Sequence, residues 1–164
     1  MGTSLRWRRP VAIVAALGVA LAIVAPTMAA SPTSVHIESP MHFNQDAFNT
    51  GTFTANGPAV DDELLCASGT VVDTRLILAG EQSGRKIQIP VRKTFTCDDG
   101  SGSFFVKIQV HLDLDTSTEA FSWVIQGGTD AYASLRGSGS GTTVSDGSVP
   151  QTGNINTYDG FLVD

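Results

Sequence analysis

Metal ligands are scarce in this chain of 164 residues, which has three histidines and two cysteines. His36 and His42 have no partner at ligand spacing, so no zinc signature exists. There is no glycine loop of the kind that cradles phosphate and no Asn-x-Ser/Thr glycosylation acceptor. No cofactor is implied by any motif. Basic residues are also few, ten against sixteen acids. An acidic surface repels phosphate backbones and anionic lipid, which argues against nucleic acid and membrane surfaces as partners. Helical periodicity is nearly absent as well, and that turns attention to strands.

The one long apolar run lies at the N-terminus. Arg6-Trp7-Arg8-Arg9 precedes an unbroken stretch from Val11 to Ala25, and Pro26 ends it. Thr27-Met28-Ala29 then offers small residues at the −3 and −1 positions of a cut after Ala29. Basic, apolar and small-residue regions in that order are expected of a secretory signal peptide, here 1–29, and hence of a secreted, extracellular protein. The run is shorter than the ~20 residues that a membrane-spanning helix needs. Removing Arg6, Arg8 and Arg9 leaves seven basic residues against sixteen acids, a net charge of −9. About 135 residues remain, the usual size of one domain and enough to fold without a metal. Residues 30–49 read as a polar lead-in holding a first strand, and 50–164 as the folded domain.

Both cysteines, Cys66 and Cys97, follow the signal segment. An isolated pair in an exported chain, with no Cys-x-x-Cys, is expected to form one structural disulfide.

After Ser34 the chain alternates β-rich runs with short turn clusters. Strands are expected near 34–38, 50–55, 69–79, 86–97, 103–113, 119–126, 130–139 and 155–163. A helical turn suits Asn56–Leu65, where Pro58 precedes Asp61-Asp62-Glu63. The Gly/Ser/Thr-rich segment Gly137–Gly147 reads as a mobile loop. Pro90 donates no ladder hydrogen bond, so a bulge or bend is expected there. Apolar residues alternate at Ile87, Ile89, Val91 and Phe95, and again at Phe104, Val106, Ile108, Val110 and Leu112. A turn at Asp98–Ser101 pairs Phe95 with Phe104, Val91 with Ile108 and Ile87 with Leu112. The following turn is expected to pair Leu112 with Phe121, Val110 with Trp123 and Ile108 with Ile125. A fourth strand then sets Ala131, Ala133 and Leu135 beside Trp123 and Phe121. The resulting apolar face must be covered, and no helix is available to cover it. The expected fold is therefore all-β, an eight-stranded antiparallel barrel, with a two-sheet β-sandwich as the alternative.

The segment Gly127-Gly128-Thr129-Asp130-Ala131-Tyr132-Ala133-Ser134-Leu135-Arg136-Gly137-Ser138-Gly139 resembles the G-G-T-G-x-Y-x-x-L-x-G-x-G signature of the allene oxide cyclase-like, dirigent-like barrel superfamily. Gly100-Ser101-Gly102-Ser103-Phe104, with Trp123 one hairpin later, is similar to its small exported bacterial branch. The resemblance spans roughly residues 50–140. Asp130 departs from it, standing where the family has glycine, though aspartate tolerates left-handed backbone angles. The resemblance implies an eight-stranded barrel, often a homo-oligomer, whose lumen binds small apolar molecules. Characterised members act by confining a reactive substrate with few catalytic side chains. None of those catalytic residues has a counterpart here.

The candidate ligand-binding residues are Lys93, Phe95, Phe104, Val106, Phe121 and Trp123. The four aromatics serve either as a pocket wall or simply as core, and large aromatics commonly fill small barrels. Lys93 has inward parity, beside Val106. It would anchor a carboxylate or act as a base, but the plainer expectation is a rim position from which it snorkels to water. On the outer face Gln88, His111 and Ser122 are expected in one cross-strand row, with Asp113 two residues from His111 on the same face. A flat strand surface offers them no oxyanion hole or water-excluding cleft, so no catalytic residue is assigned. Asp113–Glu119 is a hairpin turn rather than a calcium loop, because Thr118 and Val124 stand where such a loop needs glycine and glutamate. Three functions remain open: non-catalytic binding of a small hydrophobic ligand or a protein partner, cyclase or isomerase chemistry by confinement, and a structural module with a filled barrel.

Overall fold

The computed structural model describes residues 31–45, 48–76, 82–83, 85–116 and 118–164. The expected signal segment 1–29 and the 77–79 end of one expected strand lie outside the described residues. In chain order the elements are β1 (Thr33–His42), β2 (Thr50–Asn56), α1 (Pro58–Asp61), β3 (Ser68–Leu76), β4 (Gln82–Ser83), β5 (Lys86–Cys97), β6 (Ser103–Asp113), β7 (Thr118–Gly128), a 3-10 turn (Asp130–Tyr132), β8 (Arg136–Ser145) and β9 (Gly153–Val163). The strands run β3-β2-β1-β9-β8-β7-β6-β5, and a β3–β5 ladder closes the ring. Closure through that ladder makes this an eight-stranded antiparallel barrel and excludes the sandwich. β4 is only an appendage, pairing Gln82 with Ile87.

β1 pairs β2 on one side and β9 on the other, so it is a full barrel strand rather than part of a lead-in. The β5–β6 register is the expected one: Ile87↔Leu112, Val91↔Ile108 and Phe95↔Phe104. The β6–β7 register differs by two residues. Val110 lies opposite Phe121, Ile108 opposite Trp123 and Val106 opposite Ile125. A shift of two preserves sidedness, because side chains alternate with period two. The expected apolar face therefore survives intact and points into the barrel. Pro90 forms no bulge. It pairs with Gln109 in an unbroken register, and the irregularities fall instead between Asp73 and Arg75 and between Phe104 and Val106. β3 pairing ends at Leu76↔Val91, so among the described residues Pro90 has a ladder neighbour on one side only.

The largest correction concerns 130–147. Residues 130–135 are not a strand: Asp130 takes a left-handed φ of 51° and opens a 3-10 turn, leaving Ala131 and Ala133 exposed. The segment expected to be a mobile loop is β8. Its glycines Gly137, Gly139 and Gly141 face Ile125, Trp123 and Phe121 respectively. Each is interleaved with an outward polar residue, Ser138, Ser140 or Thr142. A Cβ on Gly139 would stand 2.7 Å from Cζ2 of Trp123, and one on Gly141 would stand within 2.5 Å of the Phe121 ring. The rings thus lie against bare backbone. What reads as loop composition is the small half of a large-and-small packing pattern.

One end of the barrel is filled. Phe95 and Phe104 stack with centroids 4.9 Å apart, and Phe53 meets both edge-on at 5.2 and 5.8 Å. Beyond them, α1 packs on β1 and β2 with Ala59 fully buried, and Leu65 and Leu135 close the end. Pro58 sets the first helical φ, as its ring requires. The Cys66–Cys97 disulfide bridges this end, as expected. Its separation of 31 residues corresponds to about 3–4 kcal/mol in the chain-entropy model. The buried Tyr132 hydroxyl accepts a hydrogen bond from the Cys66 N–H (3.1 Å) and bonds the Ser101 hydroxyl (2.8 Å).

Gly141→Ala is expected to destabilise the barrel by about 1–3 kcal/mol, because overpacking against Phe121 outweighs the ~0.4–1 kcal/mol gained from a stiffer unfolded chain. Ser140→Ala, on the outer face, should change stability by less than about 0.5 kcal/mol. Urea unfolding of the two variants checks this, and equal midpoints would refute the ring-on-glycine packing.

Candidate ligand-binding lumen

Above the stacked phenylalanines the interior is not filled. A cavity of ≈ 130 Å³ occupies the other half of the barrel. Its apolar wall is Met41, Ile89, Val91, Ile108, Val110, Leu112 and Phe121. These residues come from β1, β5, β6 and β7, where inward parity alternates with polar outward residues. Its polar groups are Asn49, Asp73, Lys93, Glu119, Thr143, Asn154, Asn156 and Tyr158. Lys93, Asp73, Asn156 and Tyr158 are buried, whereas Glu119, Thr143, Asn154 and Leu112 are half-exposed near strand ends. The gradient identifies the mouth: the cavity opens where β6 ends and β7 begins.

Lys93 is the clearest departure from expectation. It does not snorkel from the rim but is buried, 7% exposed, with Nζ 2.6 Å from Oδ1 of Asp73. Asp73 is itself only 4% exposed and lies directly opposite Lys93 in the β3–β5 ladder. A carboxylate in that position holds the ammonium sideways within the lumen, so it has no reason to reach for water. Asn49 completes the arrangement, donating from Nδ2 to the second Asp73 oxygen at 3.1 Å. Its carbonyl also accepts the Asp73 N–H at 2.9 Å. Further round the wall, Thr143 donates to the Asn156 carbonyl oxygen at 2.9 Å.

Tyr158 stands between the two halves. Its ring meets Phe121 edge-on at 4.9 Å and Phe95 at 5.8 Å. The residue is 1% exposed, and among the described residues its hydroxyl is the one buried side-chain polar atom without a hydrogen-bond partner. Burial, reinforced by the nearby Asp73 charge, pushes its pKa well above the ordinary tyrosine value. The hydroxyl is therefore a fixed donor, not an acid that ionises near neutral pH.

Of the six residues expected to bind a ligand, Lys93 and Phe121 line this cavity. Phe95 and Phe104 belong to the filled end. Trp123 lies over Gly139 and Gly160 and donates from Nε1 to the Ser140 carbonyl at 3.0 Å. Val106 is a buried neighbour of Lys93 in the ladder. On the outer face, His111 pairs with Gln88 and Ala120 while Ser122 pairs with Gln109, so no Ser-His row forms. Asp113 caps its own turn, accepting the Asp115 and Thr116 N–H groups. Sequence reasoning missed Asn49, Asp73, Asn156 and Tyr158. The alternation Asn156, Tyr158, Gly160, Leu162 was a usable signal for β9. Asp73 offered none, because its partner strand is not its neighbour in sequence.

No protein-family model, curated protein or solved structure matches the chain.

Removing one member of a buried ion pair strands the other charge, so Lys93→Met should cost about 3–5 kcal/mol. Adding Asp73→Leu should recover most of that loss, and chemical denaturation of the single and double variants reads the coupling. Independent, additive effects would refute the pairing. Tyr158 supplies a second check, on alkaline titration. Its folded pKa is raised, so the stability that its burial contributes is fully present below about pH 10 and is lost as pH rises beyond it. Its phenolate absorbance should appear only together with loss of the β-sheet circular dichroism. Ionisation in a still-folded barrel near pH 10 would contradict its burial.

Proposed function

We propose that this protein is an exported barrel that captures a small, largely apolar molecule in the open half of its lumen and holds it without covalent chemistry. The observation that carries this reading is the division of the interior: one half packed solid by aromatics, the other a cavity with one apolar wall and several polar groups, opening at the strand ends. A space of this size suits one ring or a compact branched chain, since an engineered apolar cavity of about 150 Å³ takes up benzene. Drug-sized ligands need about 300–1,000 Å³, so a larger molecule would insert only one end. The resemblance of 127–139 to the allene oxide cyclase-like barrels supports the same use of the lumen. The basic-apolar-small N-terminal segment and the disulfide support export.

Confinement chemistry is the second reading, favoured by the buried Asp73, Lys93 and Tyr158. Against it, Asp73 and Lys93 are already engaged with each other and Tyr158 is held protonated. A homo-oligomer also follows from the resemblance.

Native mass spectrometry of protein collected from culture medium tests the proposal. A retained small molecule, released unchanged on unfolding, is the expected result. Reloading the emptied barrel with that molecule and recovering a chemically altered one would favour confinement chemistry. An unliganded mass, together with unmoved Met41 and Ile89 methyl resonances when medium extract is added, would overturn the binding reading. The same spectra report the number of subunits.

A further inference from the structure

The polar groups of the cavity differ in what they have left to offer. Asp73 accepts from Lys93 on one oxygen and from Asn49 on the other, so neither oxygen is idle. Asn156 accepts from Thr143 and donates to Asn154. Tyr158 alone among these is buried, lines the cavity and has a hydroxyl with no partner. A buried donor without an acceptor is costly, and a ligand that supplies the acceptor recovers that cost. The Lys93 ammonium spends one proton on Asp73 and keeps others, so a second donor borders the cavity from β5, across the ring from β9.

Charge decides what kind of acceptor fits. Asp73 neutralises Lys93 inside the lumen, and Glu119 adds a negative charge at its mouth. An entering carboxylate would meet Glu119 first and then compete with Asp73 for Lys93. It would also lose its hydration with no net positive charge to replace it. A neutral oxygen acceptor bears neither penalty. Specificity of this sort is strong, because a site built around a buried donor discriminates against analogues that lack the matching group.

Resting on the lumen-binding reading, we infer that the ligand is a neutral, ring-sized organic molecule that presents a carbonyl-type oxygen to the Tyr158 hydroxyl. Its apolar body lies against Phe121, Ile108 and Val110, with the oxygen directed toward the Tyr158 hydroxyl.

Three shape-matched probes test this by titration into the full exported protein, read from the methyl resonances of Met41, Ile89 and Ile108. They are cyclohexanone, methylenecyclohexane and cyclohexanecarboxylate. Cyclohexanone should bind roughly three- to tenfold more tightly than methylenecyclohexane, the worth of one hydrogen bond, and the carboxylate should bind most weakly. Tyr158→Phe should erase the preference for the ketone while leaving methylenecyclohexane binding unchanged. This variant removes only an unpartnered hydroxyl, so it should melt no lower than the parent. Equal binding of ketone and alkene by the parent, or tightest binding of the carboxylate, would overturn the inference yet leave lumen binding standing. A substantially lower melting temperature for Tyr158→Phe would also overturn it, because the hydroxyl would then have a partner within the fold. Failure of all three probes to shift any lumen methyl would overturn both the inference and the reading beneath it.

Discussion

The volume inside an eight-stranded barrel is the constraint on which everything else rests. Strand number and stagger fix the diameter, and the interior is just wide enough for side chains or one small ligand. This chain divides that space along the barrel axis. Phe53, Phe95, Phe104, Tyr132 and Leu65 fill one end, and the rings of Trp123 and Phe121 fit only because Gly139 and Gly141 bring no side chain to the opposite strand. Toward the mouth the lining changes to Thr143 on β8, Asn154 and Asn156 on β9, and Asn49 just before β2, residues too small or too polar to close it. Packing and cavity are two outcomes of one inward-facing pattern.

Much of this was legible in the residues, and the failures share a cause. Alternation along 87–95 and 104–112 defined both sidedness and the β5–β6 register, because a tight turn leaves little freedom between adjacent strands. The β6–β7 register was misjudged by two, since apolar periodicity is satisfied equally by any even shift. β8 was hidden by composition. A run of Gly and Ser carries no hydrophobic alternation of its own, and its strand character exists only against Trp123 and Phe121 on the neighbouring strand. Pro90 misled in the opposite direction. A missing N–H disturbs a ladder only where a partner strand needs it, and among the described residues Pro90 has one neighbour.

The candidate site was half visible. The parity of Lys93 put it inside, but its surroundings depended on β3, which reaches β5 by closing the ring rather than by a hairpin. The disulfide brings those strands together. It does not set their register, because Cys66 lies outside β3 and the ladder starts with Gly69 opposite Cys97. Tyr158 and Asn156 lie on the last strand, whose inward face mixes polar, aromatic and glycine residues. Such a face has no single hydropathy signature, and that mixture is what a partly polar cavity wall requires.

The seam where the ring closes is fastened in two unlike ways. At the filled end it is clasped covalently, from Cys66 just before β3 to Cys97 on β5, and toward the mouth by the Asp73–Lys93 bridge between β3 and β5. One clasp is permanent under oxidising conditions, while the other is reversible and borders the cavity. By linkage, any guest that draws Lys93 from its partner works against the seam, and any guest that leaves the bridge alone is held by an intact wall. Under the proposed function, occupancy and the integrity of the barrel's open half are coupled through this cross-strand bridge, which adds to the β3–β5 ladder.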